Sequence, residues 1–424
     1  MNTENRLDWT SRRHDLVVWG ATGFVGRLVA EYLHARFGVG GKLRWAIGGR
    51  SREKLEALRR ELGADADSLP IVTGDAQNMD DMGALAASTR VVCATVGPYS
   101  RFGTTLVDAC AYHGTDYCDL CGEVPWMRRM IDSFESTARK NGARIVHCCG
   151  FDAIPSDLGV YFLQKTARER GREPCPEVHF RLKAAKGSFS GGTVASLLTV
   201  LEEARDNPHT ARLLADPYAL NPIGERHGQD GRDRRGIAFD ADLDAWIAPF
   251  VMAGINTRVV RRSNALMNYA YGEDFRYDEA VVAGNRLKAL ATAAGQSALL
   301  AAAGPRPLRN LLERFVLPKS GEGPSREERE RGFFDVRLIG KYSDGATVRV
   351  KVTGDRDPGY GATCKMLAES ALCLLQDDAA VATTGGFWTP ASALGEPLVR
   401  RLQEYAGLCF QLDDARPRDT ATHA

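Results

Sequence analysis

The run Leu16-Val17-Val18-Trp19-Gly20-Ala21-Thr22-Gly23-Phe24-Val25-Gly26 constrains the fold of this chain more than any other stretch. An apolar segment stops at a glycine, glycine recurs at every third position to Gly26, and Leu28, Val29, Tyr32 and Leu33 then return at helical spacing. The pattern reads as strand, tight turn and helix. Glycine at Gly20, Gly23 and Gly26 removes the Cβ atoms that would hold backbone away from a pyrophosphate. The helix start adds free N–H groups and a partial positive charge. Gly20, Ala21, Thr22, Gly23, Phe24, Val25 and Gly26 are therefore expected to bind a dinucleotide.

The same alternation continues downstream. Leu43 to Ile47 reads as a strand, Glu53 to Leu62 as a helix, Ile71 to Thr73 as a short strand and Val91 to Val96 as a β-rich run. Strands alternating with helices predict an α/β fold with a Rossmann-type doubly wound parallel sheet. Period-two patterns at residues 178–183, 333–340 and 346–352 predict a second α+β domain on a mainly antiparallel sheet with one wet face.

The residues after the second strand decide which dinucleotide fits. NAD-binding folds place a carboxylate there to hold the ribose 2′-hydroxyl. This chain has Gly48-Gly49-Arg50-Ser51-Arg52, with no acid before Glu53. Arg50 would pair a 2′-phosphate and Ser51 would donate to it, so the expected cofactor is NADP(H). Asp75 follows the third strand, where it would meet the adenine amine or cap the next turn. Gly97, Pro98 and Tyr99 leave the fourth strand, on the side where such sheets bind ligand, so they are expected near the nicotinamide. Tyr99 is the obvious proton donor of that loop and the candidate catalytic residue.

Length and charge bound the rest. A chain of 424 residues exceeds the usual single core, and 55 Lys plus Arg against 54 Asp plus Glu leave no net field to draw it onto nucleic acid. A small-molecule partner is favoured. The polar N-terminus lacks the apolar run of a secretory signal, so the expected location is the cytoplasm. The apolar stretch Ala289 to Gly304 is shorter than a spanning helix and reads as a buried or membrane-surface helix. Peripheral contact at the inner face of the plasma membrane and a homodimer are both compatible with this. The expected division is residues 1–150 for the NADP-binding domain and 151–385 for the substrate domain, with a mobile loop near 207–240. Residues 386–424 would form a C-terminal helix packing back on the first domain, then a frayed tail.

Two further blocks, Asp116-Tyr117-Cys118-Asp119-Leu120-Cys121-Gly122-Glu123 and Gly150-Phe151-Asp152-Ala153-Ile154-Pro155-Ser156-Asp157-Leu158-Gly159, make the chain resemble the saccharopine dehydrogenase-like oxidoreductases. It resembles most their trans-acting enoyl reductase branch. Asp216-Pro217-Tyr218, Val260-Arg261-Arg262-Ser263-Asn264 and Thr389-Pro390-Ala391 extend the likeness over nearly the whole chain. The resemblance implies NADP-linked redox chemistry and an enoyl reductase that saturates a carbon–carbon double bond in a lipid or polyketide-type substrate, apolar or carrier-bound. A saccharopine-type amino acid dehydrogenase and a non-catalytic NADP-binding scaffold of a lipid-synthesis complex are the alternatives. Cys121 departs from the branch, and with Cys118 forms C-D-L-C; without a second such pair no metal site is expected. Glu123, Asp152, Ser190, Gly191, Arg261 and Arg262 are the candidate substrate contacts, each with an alternative structural reading as cap, turn, helix packing or solvated charge.

Overall fold

In a computed structural model, which describes residues 9–187, 191–303, 323–377, 381 and 383–413, the glycine turn opens a parallel sheet. Strands β1 (His14–Trp19), β2 (Trp45–Gly49), β3 (Ile71–Thr73), β4 (Thr89–Ala94), β5 (Asp116–Asp119) and β6 (Arg144–Val146) alternate with helices. These are α1 (Phe24–Phe37), α2 (Arg52–Leu62), α3 (Met79–Ser88), α4 (Tyr99–Phe102), α5 (Thr104–His113) and α6 (Val124–Asn141). The spatial order β3-β2-β1-β4-β5-β6 is the doubly wound order of dinucleotide-binding sheets, with its reversal between β1 and β4. Every residue of β1 and β2 is buried because helices cover both faces.

The second sheet follows α7 (Ile154–Glu169). It is built from β7 (Glu177–Lys186), β8 (Ala238–Asp240), β9 (Ala245–Pro249), β10 (Arg276–Val282), β11 (Phe333–Lys341) and β12 (Thr347–Gly354). Helices α8 (Gly191–Asp206), α9 (Pro208–Ala215), α10 (Ala253–Leu266) and α11 (Arg286–Ala303) lie between these strands in sequence. All its joins are antiparallel except β7 with β10. In β12 the buried positions alternate with half-buried or exposed ones, giving the expected single wet face.

The return of the chain differs from the expected division at residue 385. Helix Thr363–Gln376 already packs on α1, β4 and β5, so it belongs to the first sheet's helical layer. Strand β13 (Gly386–Trp388) then extends that sheet beside β6, and β14 (Leu408–Leu412) pairs with β12 in the second sheet. Between them helix Pro390–Tyr405 starts at Thr389 with a capping box to Ser392 and packs on helix Thr363–Gln376 and α7. It seals the junction of the two sheets rather than lying on the first domain alone. Buried polar contacts reinforce both the first sheet's helical layer and the seam. Arg144 pairs with Asp116, both fully buried, and donates to the Leu374 carbonyl at 2.8 Å. Removing one partner of such a pair costs about 3–5 kcal/mol, because the other charge is left buried. Asp157 accepts from Ser263 and from the Ala391 amide, joining α7, α10 and the C-terminal helix.

Two further expectations are corrected. The loop near 207–240 contains α9 and is tied to α10 through Asp230 on Arg261 at 2.6 Å and Asp233 on Arg258 at 2.9 Å. It is a braced segment rather than a lid. Along its described part the apolar helix α11 is not a core element: Ala289 is buried, but Leu287 and Leu290 face solvent, and its inner face packs on β9. Among the described residues no helix is long and apolar enough to cross a membrane.

Candidate active site

The crevice at the β1/β4 reversal is shaped by backbone. Gly20 holds φ of +90°, and a Cβ there would lie 2.7 Å from Thr95 Oγ1. A Cβ on Gly26 would lie 2.2 Å from the Gly20 carbonyl oxygen, so α1 and the turn touch through bare backbone. Thr95 locks this contact by donating its hydroxyl to the Trp19 and Gly20 carbonyls at 3.1 Å. Helix α1 starts at N-cap Gly23 with no side-chain cap and no acid in its first turn. Its amide end is thus left open to an anion. Ala21 N–H is committed to the Gly48 carbonyl and Gly23 N–H to the Gly20 carbonyl. Thr22 lies beside the end of β2, and Phe24 packs edge-on against Tyr360 at 4.7 Å. Val25, half-buried, completes the first turn.

Beyond β2, Arg50 is exposed and its guanidinium has no ion pair or hydrogen bond among the described residues. Ser51 caps α2 by accepting from Lys54 N–H at 3.3 Å. Asp75 is engaged in a local turn, accepting from the Gln77 amide at 3.0 Å, which favours the turn reading over an adenine contact. The residues present fit NADP(H): a glycine cradle that a Cβ would fill, an uncapped helix start and a free guanidinium beside it.

At the next strand end the expectation for Tyr99 fails. Its hydroxyl is buried, donates to the Ala94 carbonyl at 3.1 Å and accepts from Leu120 N–H at 3.1 Å. Burial holds its pKa well above the usual phenol range. A phenol with both roles spent inside the sheet braces the Gly97-Pro98 loop and delivers no proton to a substrate. Glu123 is likewise corrected. Its carboxylate accepts from Tyr99 N–H at 2.7 Å, Ser100 N–H at 3.0 Å and Ser196 Oγ at 2.8 Å, so it caps α4 and ties the loop to α8. Sequence reading missed Ser196, which sits inside an apolar helix with no local signal. It also passed over His147, whose ring bonds Asp119 at 2.8 Å beneath Trp126.

Asp152 stands apart from these saturated groups. It follows β6 at the carboxyl end of the sheet and is half-buried; its carboxylate makes no hydrogen bond or ion pair among the described residues. Burial alone pushes its pKa up to about 6. Arg261 and Arg262 are not in the crevice. Arg261 bonds Asp230 and the Pro217 and Tyr277 carbonyls, while Arg262 bonds the Leu220 and Phe387 carbonyls. Burial lowers the Arg262 pKa to about 10. Gly191 begins α8; Ser190 lies outside the described residues. A groove of about 740 Å³ lined by Arg13, His14, Leu43 and Trp45 opens at the opposite, amino end of the strands and touches no residue of the glycine turn.

These features define an NADP-dependent oxidoreductase. Residues 16–146 match the family described as the saccharopine dehydrogenase NADP binding domain. Over 414 residues the chain is 43% identical to a Mycobacterium tuberculosis protein assigned as a trans-acting enoyl reductase, covering 95% of this chain and 98% of that one. It is 39% identical over 407 residues to the trans-acting enoyl reductase of Mycobacterium bovis, covering 92% and 96% of the two chains. The chain belongs to the trans-acting enoyl reductase family. Its fold is that of apo saccharopine dehydrogenase (L-Glu forming) from Saccharomyces cerevisiae, with a TM-score of 0.52 at 13% identity over 94% of this chain and 99% of the other.

Proposed function

We propose that the chain is an NADPH-dependent enoyl reductase. In this reading it saturates a double bond conjugated to a carbonyl in a lipid or polyketide-type acyl group that another protein carries. The relatives' activity supports the reaction class. The observation that carries it against an amino acid dehydrogenase is the fate of Arg258, Arg261 and Arg262. A substrate with several carboxylates needs guanidiniums in the cleft, and all three are buried and spent on Asp233, Asp230 and backbone carbonyls.

NADPH, when bound, supplies the hydride that the β-carbon receives. The chain's own residues would hold its phosphates, at the open start of α1 and at Arg50, and would deliver the proton. Asp152 is the donor in this reading. Its neutral form gives a proton to the α-carbon and its half-buried side chain regains one from water. Hydride and proton together complete the saturation.

The test is steady-state NADPH oxidation with crotonyl N-acetylcysteamine thioester, set against aminoadipate semialdehyde plus glutamate. Turnover with the enoyl thioester and none with the amino acid pair is expected; the reverse would sink the reading. Arg50→Ala is expected to raise the Kd for NADPH about tenfold or more and leave that for NADH within about twofold, since it removes a charge-assisted pair only NADPH makes. Equal losses in calorimetry would remove Arg50 from the 2′-phosphate.

A further inference from the structure

A second concave feature lies on the substrate domain, away from the glycine turn. The starts of β7 and β10 and residues 230–237 enclose an open groove of about 530 Å³. Arg232, Arg235 and Arg276 line it, all exposed, and none has an ion pair or side-chain hydrogen bond among the described residues. The groove also contains four carboxylates: Glu177 pairs with His179 at 2.8 Å, and the other three are held from beneath by arginines. Asp230 is held by Arg261 at 2.6 Å, Asp233 by Arg258 at 2.9 Å and Asp278 by Arg181 at 3.1 Å. Buried arginines thus pair three of the four acids, Arg234 reaches Asp278 as well at 3.5 Å, and the three outer guanidiniums keep no carboxylate partner among the described residues. This accounts for the braced segment. The loop is pinned to α10 so that its basic face is held in one shape.

The position matters as much as the charge. Helix α10 carries Arg261 under the groove, while Ile255 on the same helix abuts the Gly122 corner, 2.9 Å from where a Cβ there would sit. At 1.5 Å per residue the two points are about 9 Å apart along the helix. Helix α10 thus links the groove to the corner that follows β5.

We propose that this groove docks the acidic face of the protein domain that carries the enoyl thioester. The inference rests on the enoyl reductase reading and names the surface through which it reaches its substrate. A recessed groove suits the side chains of a protein better than a flat anionic bilayer.

The experiment compares wild type with the triple variant Arg232→Glu, Arg235→Glu, Arg276→Glu. One substrate is crotonyl N-acetylcysteamine, and the other is crotonyl loaded on the phosphopantetheine of an acidic acyl carrier protein. In the variant kcat/KM should fall about tenfold or more with the carrier-linked substrate and stay within about twofold with the free thioester, and in wild type only the carrier-linked rate should fall steeply with salt. Unchanged turnover of both substrates overturns the proposal. Parallel loss of both overturns it too, since that marks a defect of the fold rather than of docking. Wild type that reduces only the free thioester has no use for the groove. If wild type reduces neither substrate, the enoyl reductase reading itself fails. Loss of binding to phosphatidylglycerol vesicles with carrier-linked turnover intact would assign the groove to lipid and overturn the protein partner.

Discussion

Asp152→Asn is expected to reduce kcat with an enoyl thioester by roughly 10²–10⁴-fold, the usual worth of a positioned general acid, while NADPH binding is unchanged. The substitution keeps size and shape and removes only the transferable proton. The pH profile gives a second readout. A donor works while protonated, and burial raises this carboxyl to about 6, so kcat in wild type should be highest below that value and fall as pH rises through it. The variant should lose that limb. If Asp152→Asn retains turnover within a factor of about three, or keeps the same profile, another group or water supplies the proton and the assignment is wrong.

The second large effect lies in the glycine turn. Alanine at Gly26 would place its methyl 2.2 Å from the Gly20 oxygen and 2.8 Å from Thr95 Oγ1. The first neighbour is backbone and cannot rotate away, so α1 must shift from the sheet. Overpacking of this kind costs about 1–3 kcal/mol. The same shift moves the amides that would hold the pyrophosphate, and NADPH affinity should fall about 100-fold, the worth of one or two charge-assisted hydrogen bonds. Gly23→Ala is the informative contrast. Its methyl would meet only the Gly20 oxygen, at 3.3 Å, and its φ of −74° suits alanine. Thermal stability should therefore hold in Gly23→Ala and fall in Gly26→Ala. A Gly26→Ala protein with native melting temperature and native NADPH titration would mean that the close approach is not what the turn requires.

Sequence patterning located the elements but not their allegiance. Val348, Val350 and Val352 alternate with charged residues, and they form the inner face of β12 as that period demands. The apolar run at Ala289 to Gly304 carries no such directional signal. Alanine is compatible with core and surface alike, and α11 turned out to have one narrow buried face with leucines outside it. Arginines 258, 261 and 262 are equally silent in one dimension. Their role depends on which acids and carbonyls the loop 216–236 brings to them, and these are distant in sequence.

What the chain determined by itself is the nucleotide half. A strand, a glycine turn and a helix are local, the steric demand of the turn is met within a few residues, and the missing acid after β2 can be read directly. The proposed chemistry, by contrast, rests on three dimensions. Tyr99 and Asp152 are both plausible donors as letters, but a hydroxyl's usefulness depends on whether its bonding capacity is already spent. Contacts with Ala94 and Leu120 saturate Tyr99, whereas the fold leaves Asp152 half-buried and without a hydrogen-bond partner among the described residues. Burial and hydrogen-bond satisfaction are properties of packing, and packing is what a linear sequence does not display.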